Sequence, residues 1–126
     1  MNVAVVSPER VLFEGEATQV ITRTTEGDVG ILPNHAPMLS LLVDGVVDVQ
    51  TGDGETWVAA VDAGFLSVAL NHISILAEHA EMSHEIDLEK ARADLERAKS
   101  SGENDDEAEE AVRRAEARIR AVEKAS

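Results

Sequence analysis

Among its 126 residues the chain has no cysteine, no tyrosine and only three prolines. Without cysteine there is neither a disulfide framework nor a thiolate metal site, which fits a reducing compartment. The aromatics are Phe13, Trp57 and Phe65 alone, 2% of the chain, too few for platforms on which bases or sugars stack. Basic residues are also scarce: 11 Lys and Arg stand against 25 Asp and Glu, for a net charge of −14. A nucleic-acid backbone is met by clustered Lys and Arg, so nucleic acid is a poor partner, and so is an anionic membrane surface. A basic protein surface suits this charge better. No run approaches the roughly 18 apolar residues that span a bilayer. The first residues, Met-Asn-Val-Ala-Val-Val-Ser-Pro-Glu, lack a basic region and a cleavage site, so no signal peptide is expected.

What is present divides at residue 84. Residues 1–84 hold twelve acidic side chains, only Arg10 and Arg23 as strong bases, and all four histidines. Residues 85–126 hold thirteen acidic and nine basic side chains. We therefore expect a β domain over 1–84 and a helical segment over 85–126. With 44% hydrophobic residues, the length suits one small domain with an appendage.

The first part reads as short strands: 2–6, 10–13, 17–24, 38–43, 46–50, 56–61, 64–70 and 73–77. Thr18, Val20, Ile21, Thr22, Thr24 and Thr25 are β-branched, which favours a pleated surface over a helix. Val47 and Val49 alternate with Asp48 and Gln50, a strand with one face inward. Turn signals fall at Asp44-Gly45, Thr51–Glu55 and Asn71-His72. About nine or ten short strands with regular turns predict a two-layer antiparallel β-sandwich. Glu26–Pro37 stands apart, with Gly27, Gly30, Pro33 and Pro37 around His35. Two prolines remove backbone donors and fix φ, so this stretch is expected as a rigid loop, the kind of element on which binding residues sit.

The second part changes period. Asp87 suits an N-cap, with Ile86 and Ala91 at staple positions. Leu88, Ala91, Leu95 and Ala98 share one face, as do Ala108, Ala111, Val112, Ala115, Ile119 and Val122. Helices over about 88–100 and 105–124 are expected to form an antiparallel hairpin. Its seam is mostly alanine, which removes little apolar surface from water, so a weakly held, mobile appendage is expected.

No catalytic set emerges. Ser67, Ser74 and Ser83 lack a nucleophile-elbow pattern. His79 and His84 with Glu78, Glu81 and Glu85 match no tight metal-ligand spacing, and solvated polar residues account for them. His35 with Asp28 lacks a third orienting group. There is no phosphate-binding loop or dinucleotide fingerprint. On these residues alone a small acidic β-sandwich that binds another protein remains a full alternative to any specialised role.

The order of motifs goes further. Ser7-Pro8-Glu9-Arg10, Leu12–Ala17, Thr24-Thr25-Glu26-Gly27-Asp28-Val29-Gly30-Ile31-Leu32-Pro33-Asn34-His35-Ala36-Pro37, Gly64–Val68 and Ile73–Ala77 closely resemble the epsilon subunits of bacterial F-type ATP synthases. The resemblance runs over nearly the whole chain. It implies a non-catalytic rotor subunit, peripheral on the cytoplasmic side of the cell membrane. Such a subunit helps couple proton flow to ATP synthesis. It implies contacts with a gamma subunit and a c-subunit ring, with Asp28 and His35 as interface candidates. It also implies helices that fold onto the sandwich or extend toward the alpha/beta head and inhibit hydrolysis. Some members hold the folded pose with a regulatory ATP. Of that motif Ile86, Asp87 and Ala91 match, Lys90 replaces its arginine, and Arg97, Arg114 and Arg118 are the other candidate ligands. Lys is not Arg where a planar fork is needed. No obligatory cofactor is implied. Asp62-Ala63-Gly64 stands where the family often has two glycines, a departure with no evident functional consequence at this level.

Overall fold

A computed structural model describes residues 1–100 and 106–125. Eight strands come first: β1 (Asn2–Val6), β2 (Val11–Glu16), β3 (Gln19–Thr24), β4 (Gly27–Ile31), β5 (Met38–Leu42), β6 (Gly45–Gln50), β7 (Thr56–Ala69) and β8 (His72–Met82). A 3-10 turn, Ser83–Glu85, leads into α1 (Leu88–Ser100) and α2 (Asp106–Ala125). The expected sandwich followed by a helical hairpin is the observed fold. Of the break expected at 100–104, Ser100 ends α1 and the rest lies outside the described residues.

Two expectations about the strands need correction. Residues 56–61 and 64–70 form one 14-residue strand, 73–77 extends to Met82, and Gly27–Ile31 is an added strand, so the count is eight rather than nine or ten. Ala63-Gly64 reads as an interruption but is a site of close backbone approach: a Cβ on Gly64 would lie 1.9 Å from the Leu76 carbonyl oxygen. Glu26–Pro37 is not loop throughout either. Gly27–Ile31 pairs antiparallel with β3, from Thr24↔Gly27 to Val20↔Ile31. Glu26 lies in the turn before this strand, and residues 32–37, which carry both prolines, lie outside strands. Gly27 supplies the positive φ (114°) of the turn, and Gly30 faces open space at the sheet edge.

The strands run in the order β2-β1-β8-β7-β5-β3-β4, with β6 joining β3 to β7. β1 pairs parallel with β8; the other pairings are antiparallel. The long β7–β8 hairpin serves both layers. Ala59 and Val61 point into the core near its far end, while Leu66 and Val68 do so near its tip. The inward parity therefore changes about Gly64, and the hairpin passes from one layer to the other. Val3, Val5, Val20, Ile31, Val47, Val49, Ile73 and Ile75 complete the buried interior. Phe13 and Trp57 meet at its edge with ring centroids 5.6 Å apart.

The helices stack outside this core. Ala91 and Ala98 of α1 and Ala108 and Ala115 of α2 are buried, as the two expected stripes require. A second buried stripe on α2, Ala117 and Ala121, packs on Val58 and Ala60 of β7, with Val46 and Ile86 alongside. α2 is thus the inner helix and α1 rides on it. The single-stripe reading missed this because alanine marks both faces alike.

Candidate functional site: the interface between the last helix and the sandwich

Docking of α2 covers the outward face of β6 and β7. That face carries Asp48 and Asp62, both nearly buried, and Asp44, just before β6, has a side chain only 5% exposed. A buried carboxylate is costly unless it is paired or hydrogen-bonded. Asp62 is answered by the Arg118 guanidinium: Nη1 donates to Oδ1 at 2.9 Å and Nη2 to Oδ2 at 3.1 Å. Two parallel bonds of this kind match a planar fork to a carboxylate. The Arg118 Nε donates to Glu81 Oε1 on β8 at 2.6 Å. Burial pushes the Arg118 pKa down, but the bonds to Asp62 and Glu81 outweigh it and the pKa is raised.

Arg114 sits one turn earlier. Its Nε lies 3.6 Å from Asp62 and 3.9 Å from Asp44, and its Nη2 pairs with Glu110 on the same helix. Asp44 accepts the Ala63 backbone N–H at 2.8 Å, and Arg113 approaches it at 3.8 Å. Near the end of α2, Lys124 reaches Asp48 at 3.6 Å. Four basic side chains along the helix, Arg113, Arg114, Arg118 and Lys124, thus meet four acids of the sandwich, Asp44, Asp48, Asp62 and Glu81.

The linker is fixed at its sandwich end. Glu85 accepts both Arg10 nitrogens, at 2.5 and 2.8 Å, and the Met82 N–H at 3.0 Å. These bonds hold its carboxyl down at about 2. Beyond it Asp87 caps α1, accepting the Lys90 N–H at 3.1 Å. The cap role read from the sequence is the observed one.

The seven residues matched to the nucleotide motif are spread over different tasks. Arg97, Arg114 and Arg118 line one open groove of about 670 Å³ between the helices, together with Asp94, Glu107 and Glu110. Arg97 pairs with Asp94 at 3.3 Å. Asp87 is the cap, Ile86 packs on the sandwich, Ala91 is buried in the helix seam, and Lys90 is exposed. Asp28 lies near the start of β4, bonded to Arg23 at 2.9 Å, which lowers its pKa. His35 lies beyond the other end of β4, its Nδ1 2.7 Å from the Ala36 carbonyl. From the same loop Asn34 bonds reciprocally with Asn71 in the turn between β7 and β8, at 2.5 and 3.0 Å.

Sequence reasoning passed over Asp44, Asp62 and Glu81. Single acids at outward strand positions read as solvated until a helix is known to cover them. The cue was Asp62 itself, an acid inside an otherwise apolar strand.

A family model described as ATP synthase, delta/epsilon chain, β-sandwich domain matches residues 1–83. The chain belongs to the ATP synthase delta/epsilon family. A Streptomyces avermitilis ATP synthase epsilon chain is 48% identical over 97% of this chain and 94% of its own length. The Rhodococcus jostii ATP synthase epsilon chain is 48% identical over 99% and 98%. A chain in the cryo-EM structure of the Euglena gracilis mitochondrial ATP synthase has the same fold, with a TM-score of 0.75 at 24% identity over 96% of this chain and 76% of that one. A chain in the central stalk and c-ring structure of the Tetrahymena thermophila enzyme gives 0.64 at 18%, over 99% and 95%. Family membership sets aside the alternative of an unrelated binding module. The chain is an ATP synthase subunit of the delta/epsilon type. No described helix is long and apolar enough to cross a membrane.

Proposed function

We propose that this delta/epsilon-family chain binds a gamma subunit through the outer face of the layer that β5, β7, β8, β1 and β2 form, on the cytoplasmic side of a bacterial membrane. One observation carries the reading. Leu41 on β5, Phe65 on β7, Leu76 on β8, Val6 on β1 and Val11 on β2 stand opposite one another, strand by strand. All but Val6 are more than half exposed, and Leu39 beside them is 74% exposed. Scattered exposed apolar side chains are ordinary, but a contiguous row marks an interaction surface. In so acidic a chain with so few aromatics, this row is the apolar surface best suited to a stable partner.

The same reading gives the loop at 32–37 to the c-subunit ring. His35, with exposed Leu32 and Leu70, forms a tip held by the Asn34–Asn71 pair. Asp28, paired with Arg23 on the outward side of the β3–β4 hairpin, is the second interface candidate. Bound at both places, the sandwich turns with the stalk and helps couple proton flow to ATP synthesis. The helices restrain hydrolysis when they leave the sandwich and extend toward the alpha/beta head. The test is capture of gamma by the full chain. Phe65→Asp and Leu41→Asp are expected to weaken capture at least about tenfold while leaving the sandwich folded. Unchanged capture by both variants would overturn the assignment.

A further inference from the structure

We propose that Asp62 is the buried centre of a register latch: with Arg118 and the half-exposed flanking contacts of Arg113 and Lys124 it holds α2 on the sandwich in one alignment, and the flanking contacts make that docking sensitive to ionic strength. The apolar part of the contact is small and nearly featureless. It consists of Ala117 and Ala121 on Val58 and Ala60, with Val46 and Ile86 at the side. Alanine against alanine distinguishes one helical turn from the next poorly. The charges distinguish it well. Arg118 fills both oxygens of Asp62, Arg113 and Arg114 face Asp44, and Lys124 faces Asp48. From residue 114 to residue 124 these contacts span about 15 Å of helix. A slide by one turn one way would set Val122 against Asp62, only 2% exposed, and leave it without a fork; a slide the other way would bring Arg114 to Asp62 but set Glu109 and Glu110 against Asp44.

The pair also explains how the helix can leave. Burying two charges costs hydration that their mutual attraction only about repays, so buried ion pairs fix geometry better than they add affinity. Undocking returns Asp62, Arg118 and Asp44 to water together. The pivot is confined to Ile86 and Asp87, because Glu85 is tied to Arg10 and to the Met82 backbone on the sandwich side. Ile86 has extended backbone (ψ 128°) between the 3-10 turn and the Asp87 cap, so rotation there moves both helices as one body.

The experiment uses the full chain. It contains no cysteine, so dyes on introduced Glu78→Cys and Glu116→Cys, both on exposed positions, report the distance from β8 to α2 by energy transfer. Raising salt from about 0.01 M to about 1 M shortens the Debye length from about 30 Å to about 3 Å. Arg113 and Lys124 are about half exposed, so their contacts are screened and the docked population is expected to fall progressively across that range, while the buried Asp62–Arg118 pair is screened much less. Asp62→Asn, which removes the charge and keeps the shape, is expected to raise the undocked-to-docked ratio roughly a hundredfold at low salt. Hydrogen exchange of the β1, β3 and β7 amides should stay unchanged, which separates undocking from unfolding. The double variant Asp62→Met with Arg118→Met is expected to dock at all salt concentrations, because it loses the hydration gained on release. A wild-type distance independent of salt, a docked Asp62→Asn, or an undocked double variant would each overturn the latch. None of these readouts involves gamma, so failure here leaves the proposed stalk contacts untouched.

Discussion

Gly64 on β7 and Leu76 on β8 pass so closely that a methyl group on Gly64 would lie 1.9 Å from the Leu76 carbonyl oxygen and 2.9 Å from the Ala77 Cα. Both neighbouring atoms are backbone, so no side-chain rotation relieves the clash. The approach occurs where the hairpin passes from one layer to the other, and it serves both halves of the core. Gly64→Ala is expected to destabilise the sandwich by about 3 kcal/mol or more, at the upper end for overpacking. Urea unfolding followed by Trp57 fluorescence checks it; a cost under about 1 kcal/mol would mean that the strands separate easily there.

Leu70 holds an unfavourable backbone. With Asn71 it forms the two-residue turn between β7 and β8, at φ of 51° and 62°, and its side chain is 88% exposed. A left-handed conformation costs a branched residue about 1–2 kcal/mol, and asparagine less. Leu70→Asn is therefore expected to raise stability by about 1 kcal/mol and the melting temperature by a few degrees. If Leu70 is kept for contact with the ring, the stabler variant should attach more weakly to c-subunit rings. A calorimetric melt paired with a ring-binding assay reads both effects.

The Glu85 clamp has a defined pH range. Its folded carboxyl titrates at about 2, against an ordinary value of 4.5, because Arg10 and the Met82 N–H favour the anion. The folded value is the lower one, so the clamp's contribution is fully present above about pH 4.5 and is lost as the pH falls toward about 2. Following the Glu85 carboxyl by NMR should give a midpoint near that value. Arg10→Gln should move it up toward the ordinary one, and a midpoint that ignores Arg10 would mean that the bidentate contact does not persist in solution.

Arg114 and Arg118 answer carboxylates already present. Nucleotide phosphates would have to displace Asp62 and Glu81 from the Arg118 fork and Glu110 from Arg114. We expect millimolar ATP to leave the Arg114 and Arg118 NMR signals nearly unmoved in the wild-type chain. Saturable shifts in the wild-type chain would show that the groove accepts nucleotide despite its acids.

The division between a β domain and a helical hairpin was legible because charge balance and hydrophobic period change together near residue 85. Asp87 was legible as a cap because capping depends on local residues alone. Other features depend on partners far away in sequence. Gly27–Ile31 reads as loop because its glycines and the two following prolines outweigh Val29 and Ile31, yet β3 supplies the pairing that makes it a strand. Ala63-Gly64 reads as a break because nothing local reveals that another backbone passes within contact distance. Asp62 reads as solvated until α2 is laid across it, and the alanines at 117 and 121 do not announce which surface they meet.

The parallel pairing of β1 with β8, from Asn2↔His72 to Val6↔Leu76, bears on the order of synthesis. The first strand to leave the ribosome finds one of its two neighbours only after some seventy further residues have been added. Until then the interior edge of β1 has no permanent partner, and contacts of such long sequence separation form late. An emerging chain therefore has an exposed, valine-rich strand for most of its translation, the condition under which nascent β proteins aggregate. Closure of the sandwich waits for β8, and the acids that receive α2 are assembled only then. The fold thus imposes a sequence of events in which the receiving surface is complete before the helix that covers it has been made.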